Sequence, residues 1–69
     1  MSLPTLVYVN ISSNPSALVQ KVLEQEVTLV AGGSYLALGF VGMQDAIVVV
    51  DSEGYVVTLP YDEESFSFD

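Results

Sequence analysis

The order of hydrophobic and polar positions along the chain predicts a strand, a helix, then four strands and a short last one. The strongest signal lies at 46–60, where two β-branched runs flank Asp51-Ser52-Glu53-Gly54. Asp suits the first position of a type I turn and glycine the left-handed residue of a one-residue bulge, so this stretch is predicted to be a β-hairpin. Placing Asp51 opposite Tyr55 pairs Val50 with Val56, Val49 with Val57, Val48 with Thr58 and Ile47 with Leu59. Successive side chains alternate, so Ile47, Val49, Val57 and Leu59 fall on one face and Val48, Val50, Val56 and Thr58 on the other. Both faces are apolar, and both need cover from the rest of the chain, a second copy or a partner.

Upstream, 5–11 alternates as a strand, with Val7, Val9 and Ile11 on one side and Leu6, Tyr8 and Asn10 on the other. Ser13-Asn14-Pro15 predicts a helix start, because Ser or Asn can cap free amides and Pro is tolerated in the first turn. Pro15, Leu18, Val19, Val22 and Leu23 then form one apolar stripe, giving a helix over about 15–25 that is too short to stand without a sheet beneath it. The pattern returns to strand at 26–31, with Val27 and Leu29 opposed to Thr28 and Val30, and Gly32-Gly33 predicts a tight turn into a partner strand at 34–41. Gly39 inside that partner predicts a bend or bulge. Beyond Pro60 four acids gather in nine residues, and Phe66 and Phe68, two apart, would staple this acidic tail to the core.

Composition narrows the functional classes. At 69 residues the chain is one domain, divided into a strand plus helix over 4–25 and an antiparallel β core with the acidic tail over 26–69. It is 51% hydrophobic and only 14% charged, which excludes a chain disordered throughout. One Lys or Arg against nine Asp or Glu gives a formal charge of −8, so direct nucleic-acid binding is not expected and basic proteins are the natural partners. Cys and His are both absent, which removes disulfides, thiol and imidazole chemistry and the usual zinc ligands. The first ten residues lack the basic start and cleavage site of a signal peptide, and the uncharged run at 27–44 is broken by glycines and polar residues. A cytoplasmic chain without a membrane span is the expectation.

Carboxylates are the only acid or base groups, and nothing in their spacing sets two across a cleft, so no catalytic residue is expected. Asp51-Ser52-Glu53-Gly54 has the opening of a calcium loop without its later ligands, and turn chemistry explains all four, so neither metal nor cofactor is expected. Asn10-Ile11-Ser12 matches a glycosylation acceptor by chance in a chain without a secretion signal. Seven of the nine acids follow residue 44, and a one-sign array of this kind can imitate nucleic-acid phosphates before a basic groove. The candidate partner-binding residues are Asp45, Asp51, Glu53, Tyr55, Tyr61, Asp62, Glu63, Glu64 and Asp69, with Phe66 and Phe68 as further aromatic anchors.

Gly33-x-Tyr35, the hairpin Val48-Val49-Val50-Asp51-x-x-Gly54, Leu59-Pro60 and Phe66 give about 26–68 a pattern that resembles small SH3-like barrels of compact bacterial and phage proteins. The resemblance implies a β-rich α+β fold, either such a barrel or a strongly bent antiparallel sheet. The Ala-Leu-Tyr-Asp type motif of proline-binding SH3 domains is missing, so no peptide site is implied. The function expected is a non-enzymatic acidic interaction module, in its sharpest form a phage-type inhibitor that occludes a basic nucleic-acid-binding surface by mimicry. The alternative is a structural subunit of a homo-oligomer.

Overall fold

The computed structural model describes residues 6–69. The elements are β1 (Val7–Ile11), α1 (Ala17–Gln25), β2 (Ser34–Val41), β3 (Ala46–Val50), β4 (Val56–Pro60) and β5 (Phe66–Phe68). All strands join one antiparallel sheet in the order β4-β3-β2-β1-β5, with the helix packed on one face: a β-rich α+β fold. β4 and β5 are its two edges, so the sheet is open and not a closed barrel. The expected strand start at Thr5, and the boundary at residue 4, lie outside the described residues.

The hairpin forms in the register that the turn dictates, from Val50 opposite Val56 to Ile47 opposite Leu59. The Asp51 amide donates to the Tyr55 carbonyl at 2.8 Å and the Gly54 amide to the Asp51 carbonyl at 3.1 Å. Gly54 sits at φ +89°, a conformation in which a side chain would be strained. Ladder register shifts between Ala37 and Gly39, the bulge expected within β2.

Residues 26–31 do not form the expected strand. Glu26 closes the helix, its amide donating to the Val22 carbonyl at 3.1 Å, and the next residues turn, with Leu29 N–H on Glu26 O at 3.0 Å and Gly33 N–H on Val30 O at 3.0 Å. The cause is competition for β2. Its edges are occupied by β3 and by β1, which pairs Val7 with Ala37 and Val9 with Tyr35, leaving 26–31 no place beside β2. The excursion that carries the helix is pinched shut where Ile11 N–H meets Gly33 O at 2.9 Å and Gly32 N–H meets Ile11 O at 2.8 Å. Gly33 must lack a side chain there, because a Cβ would stand 2.6 Å from the Tyr35 hydroxyl. Of the apolar residues in this segment only Leu29 reaches the core; Val27 and Val30 are exposed.

The helix begins two residues later than the sequence suggests. Ser16 is its N-cap, its hydroxyl accepting from Val19 N–H at 3.4 Å, and Pro15 lies outside the helix. Val19 is fully buried, Val22 and Leu23 pack around it, and Leu18 at the stripe's margin is exposed. With Val9, Ile11, Leu29, Ile47, Val49, Leu59 and Phe66 they form the core, each fully buried aliphatic chain contributing about 1.5–3 kcal/mol of transfer free energy. All of this lies on one face of the sheet. The other face, apolar as expected, is left uncovered by α1, with Val56 and Leu38 exposed.

Candidate interaction surface

The candidate residues separate into two groups at opposite ends of β3 and β4, about 16 Å apart by strand rise. At the hairpin tip are Asp51, Glu53 and Tyr55. At the other end the β2–β3 turn meets the β4–β5 connection, because Tyr61 N–H donates to the Asp45 carbonyl at 3.0 Å. Asp45, Tyr61, Asp62, Glu63 and Glu64 belong to this second end, whereas Asp69 lies beside Tyr8, which the register sets level with Leu36, Val50 and Val56.

Two of the acids face inward. Asp51 is buried and accepts from the Thr28 hydroxyl at 2.7 Å and from the Glu53 and Tyr55 amides at 2.9 and 2.8 Å, binding the hairpin tip to the 26–31 segment. The Thr28 hydrogen bond and the backbone amides of Tyr55, Glu53 and Gly54 hold its carboxyl below the ordinary aspartate value of 3.8, against the opposing effect of burial. Asp62 accepts from the Ser16 hydroxyl at 2.6 Å and from Ser65 N–H at 2.8 Å. Ser65, fully buried, accepts in turn from Ser16 N–H at 2.8 Å. Burial pushes the Asp62 carboxyl up, but the hydrogen bonds from Ser16, Ser65 and the Glu64 amide outweigh it and leave the group below 3.8. These carboxylates are latches between distant segments, and the expectation that the whole acidic run faces water is corrected at Asp62.

Around the second latch the rings gather. Tyr61 stacks on Phe66 at a centroid distance of 5.4 Å, meets Phe40 edge-on at 5.0 Å and lies 6.4 Å from Phe68, while Phe40 and Phe68 are 6.0 Å apart. Phe66 anchors the cluster in the core, whereas Phe40 and Phe68 remain 39% and 42% exposed. Phe40 joins because the bulge at Ala37/Gly39 sets it opposite Ile47, on the core face of the sheet. Sequence reasoning missed it; the signal was Gly39, whose bulge decides which side Phe40 takes. Asp45, Glu63 and Glu64 are exposed along the rim. Asp69 does not join them: its carboxylate accepts from the Asn10 side-chain amide at 2.7 Å on the face of the sheet away from the rings, while its own amide donates to Tyr8 O at 3.2 Å.

The hairpin end is poorer in both elements. Glu53 and Tyr55 line an open groove of ≈ 470 Å³ with Glu26 and Thr28, but Tyr55 is 68% exposed and has no ring beside it. Among the described residues no three Asp or Glu side chains converge as a metal site requires. Nor is any helix there long and apolar enough to cross a membrane. Comparison with protein-family models, with curated proteins and with solved structures finds no match to this chain.

Proposed function

We propose that the protein is a non-enzymatic acidic interaction module that binds a basic protein surface through the Phe40-Tyr61-Phe68 cluster and the neighbouring acids Asp45, Glu63 and Glu64. The observation that carries this is the half-exposed aromatic cluster, with exposed Asp45, Glu63 and Glu64 on the turns that meet at Tyr61. A Lys or Arg side chain laid over such rings gains cation–π attraction, while the rim acids pair its charge and steer its approach. Aromatic centre and polar rim are also the arrangement in which interface energy concentrates.

In its sharpest form the function is occlusion of a nucleic-acid-binding protein by mimicry, as phage inhibitors act, in the cytoplasm. The near absence of positive charge supports it, with one cationic side chain against nine acidic. As the finer reading of the fold we retain a strongly bent antiparallel sheet with the strand pattern of SH3-like proteins, supported by the bulge in β2 and by the contacts among the rings of Phe40, Tyr61 and Phe68, which join the ends of β2, β4 and β5.

The test is affinity capture on immobilised protein at low salt, followed by a salt gradient and competition with duplex DNA. Expected is recovery of a Lys- and Arg-rich nucleic-acid-binding protein that elutes early in the gradient and that free duplex displaces. Recovery of no basic protein, or of one that duplex DNA does not displace, overturns mimicry. A basic partner whose binding survives Glu63→Gln/Glu64→Gln/Asp45→Asn unchanged overturns the site.

A further inference from the structure

β4 is a free edge of the sheet, and its ladder with β3 decides which of its backbone groups are left over. Asp51 N–H donates to Tyr55 O at one end of the hairpin and Tyr61 N–H to Asp45 O at the other, so both are hydrogen-bonded pairs. Bonded and non-bonded pairs alternate in an antiparallel ladder, which makes Val49–Val57 and Ile47–Leu59 bonded and turns the N–H and C=O of Val56 and Thr58 away from β3. No strand takes them. Edges are ordinarily blunted by charge, proline, bulges or brevity, and the other edge, β5, is three residues long with Asp69 next to it. β4 lacks these protections before Pro60, since Val56-Val57-Thr58-Leu59 is uncharged and pairs with β3 without a break.

The space beside this edge is already shaped. The open groove of ≈ 470 Å³ is lined by Val56, Val57 and Thr58 and, from the segment that leaves the helix, by Glu26, Val27 and Thr28. That segment lies on the core side of the sheet, because Leu29 joins the core and the Thr28 hydroxyl holds Asp51. We infer that β4 accepts an extended segment of a partner protein as an additional strand, one that alternates Lys or Arg with β-branched residues. Its backbone would pair with Val56 and Thr58, and alternation would divide its side chains between two surroundings. Those level with Val56 and Thr58 share their open face, where β-branched side chains make good cross-strand neighbours. Those between fall on the helix side, where the groove carries Glu26 and no basic residue. A second copy is a poor occupant, because it brings −8 against −8 and its own β4 has no cation to offer Glu26. Uniform positive charge is no better, since alternate members of the row would face Val56. The site is separate from the aromatic cluster and does not rest on it.

The test is an NMR titration of the whole chain with the end-capped peptide Thr-Lys-Val-Lys-Val-Lys-Thr. Expected is amide exchange slowed roughly tenfold or more at Val56 and Thr58 when the peptide saturates. N-methylation of alternate peptide amides separates pairing from charge: one set faces β4 and its loss should abolish binding, whereas the other set faces solvent and its loss should not. Thr58→Pro removes an outward donor that the fold leaves unused and should weaken the peptide roughly tenfold. The methylated peptides are read on the unaltered protein, so the test stands even where that variant unfolds. Glu26→Gln should weaken the peptide severalfold, and an unchanged affinity overturns the assignment of Lys or Arg to the groove side. Binding that survives methylation of either set, or exchange at Val56 and Thr58 that the peptide does not slow, overturns the edge site. Shifts confined to Phe40, Tyr61 and Phe68 overturn it as well, while leaving the function proposed above standing; protection at β4 with those rings unmoved supports the edge site alone.

Discussion

The two ends of the β3–β4 hairpin are made from the same residue types and do different things. Each has an inward Asp holding a distant segment: Asp51 takes Thr28 at the tip, and Asp62 takes Ser16 at the base. Each also has Glu residues and a tyrosine outside. At the tip the tyrosine stands alone, and the latch serves only to fix the turn and the 26–31 segment. At the base the latch holds the connection that carries Tyr61 against Phe66 and against the exposed rings of Phe40 and Phe68, with exposed Glu63 and Glu64 on the same connection. Negative charge alone therefore does not mark a site in this chain; charge around ordered aromatic surface does.

Substitutions break this comparison in graded ways. The largest effect is expected from Val49→Asp, which buries an unpaired charge beneath both ends. It costs several kcal/mol in a domain whose total stability is on the order of 5 kcal/mol, and circular dichroism should show an unfolded chain. Ser65→Ala comes next. It removes the buried acceptor of the Ser16 amide and should cost about 1–2 kcal/mol, lowering the melting temperature by several degrees. Amide exchange should quicken at the base, around residues 16 and 65, and leave the hairpin tip as it was.

Acid tests both latches together. The folded-state pKa values of Asp51 and Asp62 are depressed, so their contribution is fully present above the ordinary value of 3.8 and is lost as pH falls through their lower folded values. Chemical denaturation should accordingly show the contribution of these two groups declining below about pH 4. Asp51→Asn and Asp62→Asn should each flatten that decline, and a decline unaltered in both variants would count against the latches.

Smaller effects on stability separate latch from rim. Glu63→Gln/Glu64→Gln should leave the melting temperature nearly unchanged, or raise it slightly by relieving repulsion, while reducing binding to a basic probe and its salt dependence. Adding Asp62→Asn to that pair should lower the melting temperature, since the third acid is a latch and not part of the solvated run. Smallest of all is Glu53→Gln, expected to alter neither stability nor binding.

What sequence made legible was local. The hairpin register follows from four turn residues, and the bulge from Gly39, since each is decided by neighbours in the chain. The fate of 26–31 was not legible, because its alternation is sound and only β1, arriving from more than 20 residues away, denies it a place beside β2. Likewise the helix start depends on Ser65 and Asp62, 49 and 46 residues from Ser16. The same distance hid the division among the acids: Asp62, Glu63 and Glu64 look alike in a row until Ser16 claims one of them.

The claim that the base of the hairpin, and not its tip, is the binding end is tested most directly by an amide and aromatic NMR titration with an oligo-arginine peptide. Shifts concentrated at Phe40, Asp45, Tyr61, Glu63, Glu64 and Phe68 that fade as salt is raised are the predicted result. Equal or larger shifts at Glu26, Glu53 and Tyr55 would contradict it.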